Sequence, residues 1–309
     1  MRKLSKTLNE IMRIPLLLKK AESYGLSLNK EDRHLFVGCG SSYNIGYISS
    51  KVLKRYGIRA QVRTAGKLLV TQELPEINKA FLISRTGEST ETIRTAELLK
   101  SKGIYTFGIT CEPGTGLTEV CDESLVLDFS REESVVMTGS FLVILTVILN
   151  SVGSKDQHKA AKHLLDDSME YFKNIPLEDF NHFVFLGYDE NYGIAKEGAL
   201  KLQEMALERV EYHEPLEFRH GPISTLTRQS FVTLISKSSN YEKTLVEDLK
   251  KLGATVSVIG EAGDFSIKNE NGLESPLKII PLLILGYLRA IKKGLNPDKP
   301  KNLSKSVII

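Results

Sequence analysis

Residues 81–92, FLISRTGESTET, decide how this chain folds. Phe81, Leu82 and Ile83 form an apolar run of the right size for one buried strand. Ser84, Thr86, Ser89 and Thr90 then surround a single glycine, Gly87. The next residues, TIRTAELLKSKG, carry apolar side chains at helical spacing. A strand that ends in a turn, with the turn opening a helix, leaves free backbone N–H groups at the helix start. The positive end of the helix dipole faces the same point. Hydroxyl donors from Ser84, Thr86 and Ser89, on a backbone freed by Gly87, make a cup suited to a phosphate group. A Ser/Thr-rich helix cap is the plainer reading of these residues, and the rest of the chain weighs between the two.

Upstream, HLFVGCGSSYNIGYISSKVLKRYGI (34–58) shows the same strand, turn and helix, and AQVRTAG (60–66) reads as a further strand. Downstream, IYTFGITCE (104–112) is a buried strand, GTGLTEVCD a loop and ESLVLDF (123–129) a short strand, with an apolar helix over 140–152. This alternation predicts a mainly parallel sheet covered on both faces. Residues 1–25 read as an amphipathic helix interrupted at Pro15. The polar stretch 154–180 reads as a connection, and after it the pattern starts again. HFVFLGYDENYGIAKEGALKL (182–202) parallels 34–53, and SFVTLISKSSNYEKTLVEDLKKLGATVSVIGE (230–261) parallels 80–112. The shifts are 148 residues (34 to 182) and 152 residues (Ile83 to Ile235), which argues for an internal duplication. The second copy, ISKSSNYEKT, has lost the glycine, so only the first is expected to hold phosphate.

Composition narrows the function classes. The chain has 309 residues, 41% hydrophobic and 26% charged, as expected of a globular protein of one or two domains. A net charge of +3 without a basic block gives no support to nucleic-acid binding. The longest apolar run, FLVILTVIL (141–149), is too short to cross a bilayer, so no membrane association is expected. The basic amino-terminal stretch holds only IPLLL as an apolar core and no small-residue cleavage site, which argues against a signal peptide. Cys39, Cys111 and Cys121 contain no C-x-x-C and fit buried thiols in a reducing cytoplasm. The six histidines show no metal-ligand spacing, so neither a metal nor another cofactor is expected.

Three further features bear on chemistry. Glu197, Lys201, Glu204 and Glu208 recur at helical spacing and share one side of a helix, which a solvated face of ion pairs would also explain. His220 stands before Gly-Pro, in a turn. The carboxyl terminus leaves an apolar helix (279–293) as NPDKPKNLSKSVII; its prolines stop regular structure, yet its end is too apolar for a freely solvated tail.

GCGSSYNIG, ISRTGESTET, EGALKLQEMA, EFRHGP and DKPKNLSKSV, in this order, resemble the isomerase half of glutamine–fructose-6-phosphate aminotransferase, a pair of sugar-isomerase (SIS) domains. The similarity covers nearly the whole chain, and no stretch resembles the glutaminase half. The resemblance implies an α/β fold of two tandem doubly wound, flavodoxin-like parallel-sheet domains. The first spans 1–155 with the amino-terminal helix and binds phosphate; the second spans 156–295 and carries the base; 296–309 folds over the active site. It implies that Ser42, Ser84, Arg85, Thr86 and Ser89 hold a sugar phosphate. Glu204 would be the base between C1 and C2, with Lys201 beside it. His220 would open the sugar ring and can reach the site from a neighbouring subunit of a homodimer. Lys305 matches the lysine that forms a Schiff base with the ketose carbonyl.

Two places depart from the synthase pattern. Arg85 stands where the synthase has glutamine, and it resembles the S-R-S-G loop of other SIS isomerases and deglycases. REESVVMTGSF (131–141) keeps Thr138 and Phe141 but carries Met137 and Gly139 where the synthase has serine and lysine. LEFRHGP also resembles the tagatose-6-phosphate isomerase branch. The expectation is therefore a cytoplasmic enzyme interconverting glucosamine-6-phosphate with fructose-6-phosphate and ammonia. Its alternatives are a plain ketose/aldose-phosphate isomerase, a synthase subunit fed by a separate glutaminase, a deglycase, or a sugar-phosphate sensor without catalysis.

Overall fold

Nine apolar or alternating segments form strands among the described residues, which are 5–154 and 156–309 of this computed structural model. β1 (Arg33–Gly38), β2 (Arg59–Thr64), β3 (Lys79–Ile83), β4 (Tyr105–Thr110) and β5 (Glu123–Val126) make one sheet in the order 2-1-3-4-5. β6 (His182–Gly187), β7 (Val210–His213), β8 (Ser230–Ile235) and β9 (Thr255–Ile259) make another in the order 7-6-8-9. Every pairing in both sheets is parallel. The second order is the first with its fifth strand missing. In its place the Gly-, Glu- and Asn-rich 260–272 makes a single bridge, Phe265 to Ile259. The duplicated α/β architecture read from the sequence is therefore the architecture found.

Helices connect the strands: α1 (Lys6–Met12), α2 (Ile14–Ala21), α3 (Ser41–Arg55), α4 (Ala65–Thr71), α5 (Thr90–Ser101), α6 (Gly116–Val120), α7 (Gly139–Asn150), α8 (His158–Lys173), α9 (Glu190–Ala206), α10 (Asn240–Lys251) and α11 (Ser275–Lys292). Some expectations need correction. The amino-terminal helix breaks at Arg13 rather than at Pro15, because a proline in the first turn of α2 loses no intrahelical bond. The stretch read as a loop after β4 contains α6, whose Leu117 is buried against the sheet. Glu208 lies beyond α9, past a left-handed Leu207 (φ 54°), and pairs with Arg289 at 2.7 Å and Lys293 at 2.8 Å.

The chain forms two compact units. One, here the β1 unit, comprises 16–156 with 302–309; the other, the β6 unit, takes 157–301 and the described residues before Leu16. The change near residue 156 falls where the polar connection begins, but the described residues before Leu16 group with the β6 unit instead of the first domain, and of the tail expected over 296–309 only 302–309 groups with the β1 unit. Asp298 accepts hydrogen bonds from the Lys6 and Thr7 amides, at 3.0 and 2.8 Å, and so ties α1 into the β6 unit. Val307 accepts from the Thr90 amide at 3.2 Å and ties the tail into the β1 unit.

Within the β1 unit, strand alternation sorts the core. Leu35, Val37 and Leu82 pack with Leu68, Ala96, Leu99 and Leu117 on one face. Phe36, Phe81 and Phe107 line the other, with ring centroids 5.3 and 5.5 Å apart. The β6 unit repeats the scheme: Val184, Leu186, Val232 and Leu234 meet Leu245 and Leu249 of α10. The backbone repeats as well. Gly40 before α3 has φ 52° and ψ −124°, and Asp189 before α9 has φ 53° and ψ −120°.

Candidate active site

In an open parallel sheet the ligand crevice lies outside the carboxyl ends of the strands where their order reverses. In the β1 unit that point falls between β1 and β3, whose register aligns Val37 with Leu82. The two turns singled out in the sequence, 38–42 and 84–89, follow these strand ends. Gly38 is required there, since a Cβ would meet Ser42 at 2.8 Å. Ser42, in the first turn of α3, is buried. Gly87 has φ 68°, and its amide donates to the Ser84 carbonyl at 3.0 Å, closing the tight turn. A Cβ on Gly87 would lie 2.1 Å from Thr115 Oγ1, so only glycine fits. Ser84 Oγ and Ser89 Oγ are 3.3 Å apart. Ser89 is the N-cap of α5 without capping it through its own side chain, which leaves its hydroxyl available to a ligand.

The tail reaches the same turn. Thr86 Oγ1 and Ser306 Oγ are 2.7 Å apart, and the Ile309 amide donates to Thr90 Oγ1 at 3.2 Å. Lys305 Nζ donates to the main-chain carbonyl of Glu132 at 2.8 Å. Arg85 is buried and turned away from the hydroxyls: its guanidinium pairs with Glu132 at 3.2 Å and donates to the carbonyls of Ser134 and Val135. Glu132 escaped the sequence reading, because an acidic residue six positions before a helix cap carries no local signal.

The corresponding place in the β6 unit is occupied by the chain itself. Glu242, near the start of α10, accepts from the Lys237 amide at 3.0 Å, the Ser239 amide at 3.0 Å and the Ser236 hydroxyl at 3.1 Å. Lys237 pairs with Glu190, while Lys278 bridges Asn191 and Glu274 at 3.1 and 2.7 Å. A built-in carboxylate thus takes the hydrogen bonds that a phosphate would need, which explains why the degenerate copy lacks a phosphate signature.

α9 of the β6 unit carries the other proposed group of residues. EGALKLQEMA consists mostly of strong helix formers, and the spacing puts Glu197 and Glu204 on either side of Lys201. Lys201 is fully buried, 3.3 Å from Glu197 and 2.5 Å from Glu204. Burial pushes the Lys201 pKa down, but the two carboxylates outweigh it and hold it above the ordinary lysine value. The plain reading of a solvated ion-pair face therefore fails for these three residues. Glu204 remains partly accessible, at 16% of its side chain, whereas Glu197 is closed off at 1%. One carboxylate can meet a ligand and the other only anchors the cation. His220 follows a 3-10 turn (Glu217–Arg219) and is exposed.

Comparison with known proteins bears on this arrangement. The SIS domain family matches residues 27–152 and 177–264. The chain is 30% identical to the glutamine–fructose-6-phosphate aminotransferase (isomerizing) of Pyrococcus horikoshii, over 94% of its own length and 54% of that protein's. It spans about half the length of such curated relatives. Among solved structures, a glucosamine-6-phosphate deaminase from Thermotoga maritima superposes with a TM-score of 0.89 at 37% identity, covering 99% of this chain and 100% of that one. The C-terminal domain of glucosamine-fructose-6-phosphate aminotransferase from Francisella tularensis shares the fold, with a TM-score of 0.80 at 20% identity over 96% and 99% of the two chains. With the motifs, the two parallel sheets and a family match over most of its length, the chain belongs to the SIS domain family.

Proposed function

We propose that this protein is a sugar-phosphate enzyme that converts glucosamine-6-phosphate to fructose-6-phosphate and ammonia. The observation that carries the reading is the Lys201–Glu204 contact: an accessible carboxylate fixed 2.5 Å from a buried ammonium. The pair holds the Glu204 carboxylate beside a fixed positive charge, a placement that suits a base that must take a carbon-bound proton. Ser42, Ser84, Thr86 and Ser89 grip the phosphate through charge-assisted hydrogen bonds, each worth about 1.5–3 kcal/mol net. That remote grip converts binding energy into orientation of C1 and C2. His220 opens the ring. Glu204 removes the proton from C2 and returns it to C1, so that the C2 amine becomes an imine. Lys305, in its amine form, displaces ammonia at C2, and water then hydrolyses the lysine imine to the ketose.

The name of the 37% identical relative supports the deaminase direction. The names of the curated relatives favour a second reading, in which the same site runs towards glucosamine-6-phosphate with ammonia supplied by another chain. The reading further places the enzyme in the cytoplasm as a homodimer, with His220 able to serve a partner's site. The test is to incubate the protein with glucosamine-6-phosphate and follow ammonia and fructose-6-phosphate. Equimolar release of both supports the proposal. Product only from glucose-6-phosphate, in a parallel reaction, replaces it with a plain isomerase.

A further inference from the structure

Glu132 joins two parts of the β1 unit that the sequence separates widely. Its carboxylate is buried and accepts from the Thr138 amide and hydroxyl, at 3.0 and 2.6 Å, and from the Ser140 amide at 3.1 Å. These bonds place a negative charge at the amino-terminal turn of α7. The same carboxylate pairs with Arg85, whose neighbours Ser84 and Thr86 are the hydroxyls proposed to hold phosphate. The main-chain carbonyl of Glu132 then receives the Lys305 ammonium at 2.8 Å. Lys305 is otherwise exposed, and Glu132 is where its ammonium is held.

We propose that Glu132 is a positioning residue that sets the phosphate turn and the tail lysine together, and that Arg85 serves this clamp rather than contacting the substrate phosphate. The argument is one of competition. A guanidinium already committed to a carboxylate and two carbonyls gains little by turning to a phosphate, and would abandon a buried Glu132 if it did. Held in place, the clamp keeps Ser84 and Thr86 on one side and Lys305 on the other at a fixed separation. A displacement of about 1 Å in such a site lowers turnover by about a hundredfold.

The proposal rests on the functional reading above, and the experiment separates the two. Wild type, Glu132→Gln, Arg85→Met, the double variant and Ser84→Ala are compared in three ways. Fructose-6-phosphate affinity is measured by calorimetry, the imine on Lys305 is trapped with borohydride and located by mass spectrometry, and acetylation of Lys305 is followed without substrate. Glu132→Gln is expected to weaken affinity, to lower the trapped adduct by about a hundredfold, and to speed Lys305 acetylation; Ser84→Ala should change affinity alone. If Glu132→Gln fails to fold, Arg85→Met, which opens the clamp from its other side, should give the same pattern. The double variant should recover thermal stability but not the adduct, a split that a purely structural role does not produce. Normal affinity, adduct and acetylation in folded Glu132→Gln or Arg85→Met overturns the clamp and leaves the functional reading standing. Wild-type protein that neither binds fructose-6-phosphate nor traps it overturns both.

Discussion

A carboxylate 2.5 Å from a fully buried ammonium is the centre of the proposed chemistry, and the same residues on a solvated helix would not offer that arrangement. Removing the Glu204 charge leaves Lys201 held by Glu197 alone at 3.3 Å, so the helix is expected to survive while the proposed base is lost. Glu204→Gln is expected to lower kcat by about a hundred- to ten-thousand-fold, with sugar-phosphate affinity nearly unchanged in a calorimetric titration. The Ser84→Ala/Thr86→Val pair should do the reverse, raising KM with little change in kcat, because it removes grip and not chemistry. The thiols obey the same logic of burial. Desolvation pushes Cys111 up to about 12 and Cys121 up to about 11, and raises the half-exposed Cys39 as well. Since only the thiolate reacts, iodoacetamide near neutral pH should modify Cys39 first and leave Cys111 untouched, as peptide mapping would show.

At the scale of elements, helix starts are where this fold spends its acidic residues. Glu242 caps α10, Glu132 sits at the start of α7, and Asp298 receives the first amides of α1. Burial raises the Asp298 pKa, but the Thr7 and Lys6 amides and the Thr7 hydroxyl outweigh it and hold it below the ordinary aspartate value. Its folded pKa is thus lower than its unfolded one. The stabilisation is present above the unfolded value of 3.8 and is lost as pH falls through the lower, folded one. Asp298→Ala should cost about 1 kcal/mol at neutral pH, and denaturant midpoints should show the penalty shrinking in acid. The start of α5 differs: its Ser89 makes no side-chain cap, and the tail and Thr90 meet there instead. Of the two duplicated sites, the one that is not capped by its own side chain is the one proposed to take the sugar phosphate.

For the whole molecule, two parallel sheets buried on both faces imply an uneven stability. β1, β3, β4, β6 and β8 lie inside their sheets, whereas β2, β5, β7 and β9 are edges. Hydrogen exchange should be slowest in those five inner strands, and fastest in the tail 302–309, whose residues are mostly exposed. Equal protection of β9 and β8 would contradict the missing fifth strand. No helix among the described residues is long and apolar enough to cross a membrane.

Periodicity and turn chemistry were enough to read the parallel sheets, the duplication and the tight turn after β3, because strand runs, glycines with positive φ and helix starts are local properties. Gly87 and the hydroxyls around it were legible in this way. Partner choice was not. That Glu208 leaves α9 for Arg289, that α1 joins the β6 unit, and that Arg85 faces Glu132 depend on residues 81, 292 and 47 positions apart. Such contacts are decided by which charges share a dry interior once the sheets have formed, and no local pattern in the chain encodes them.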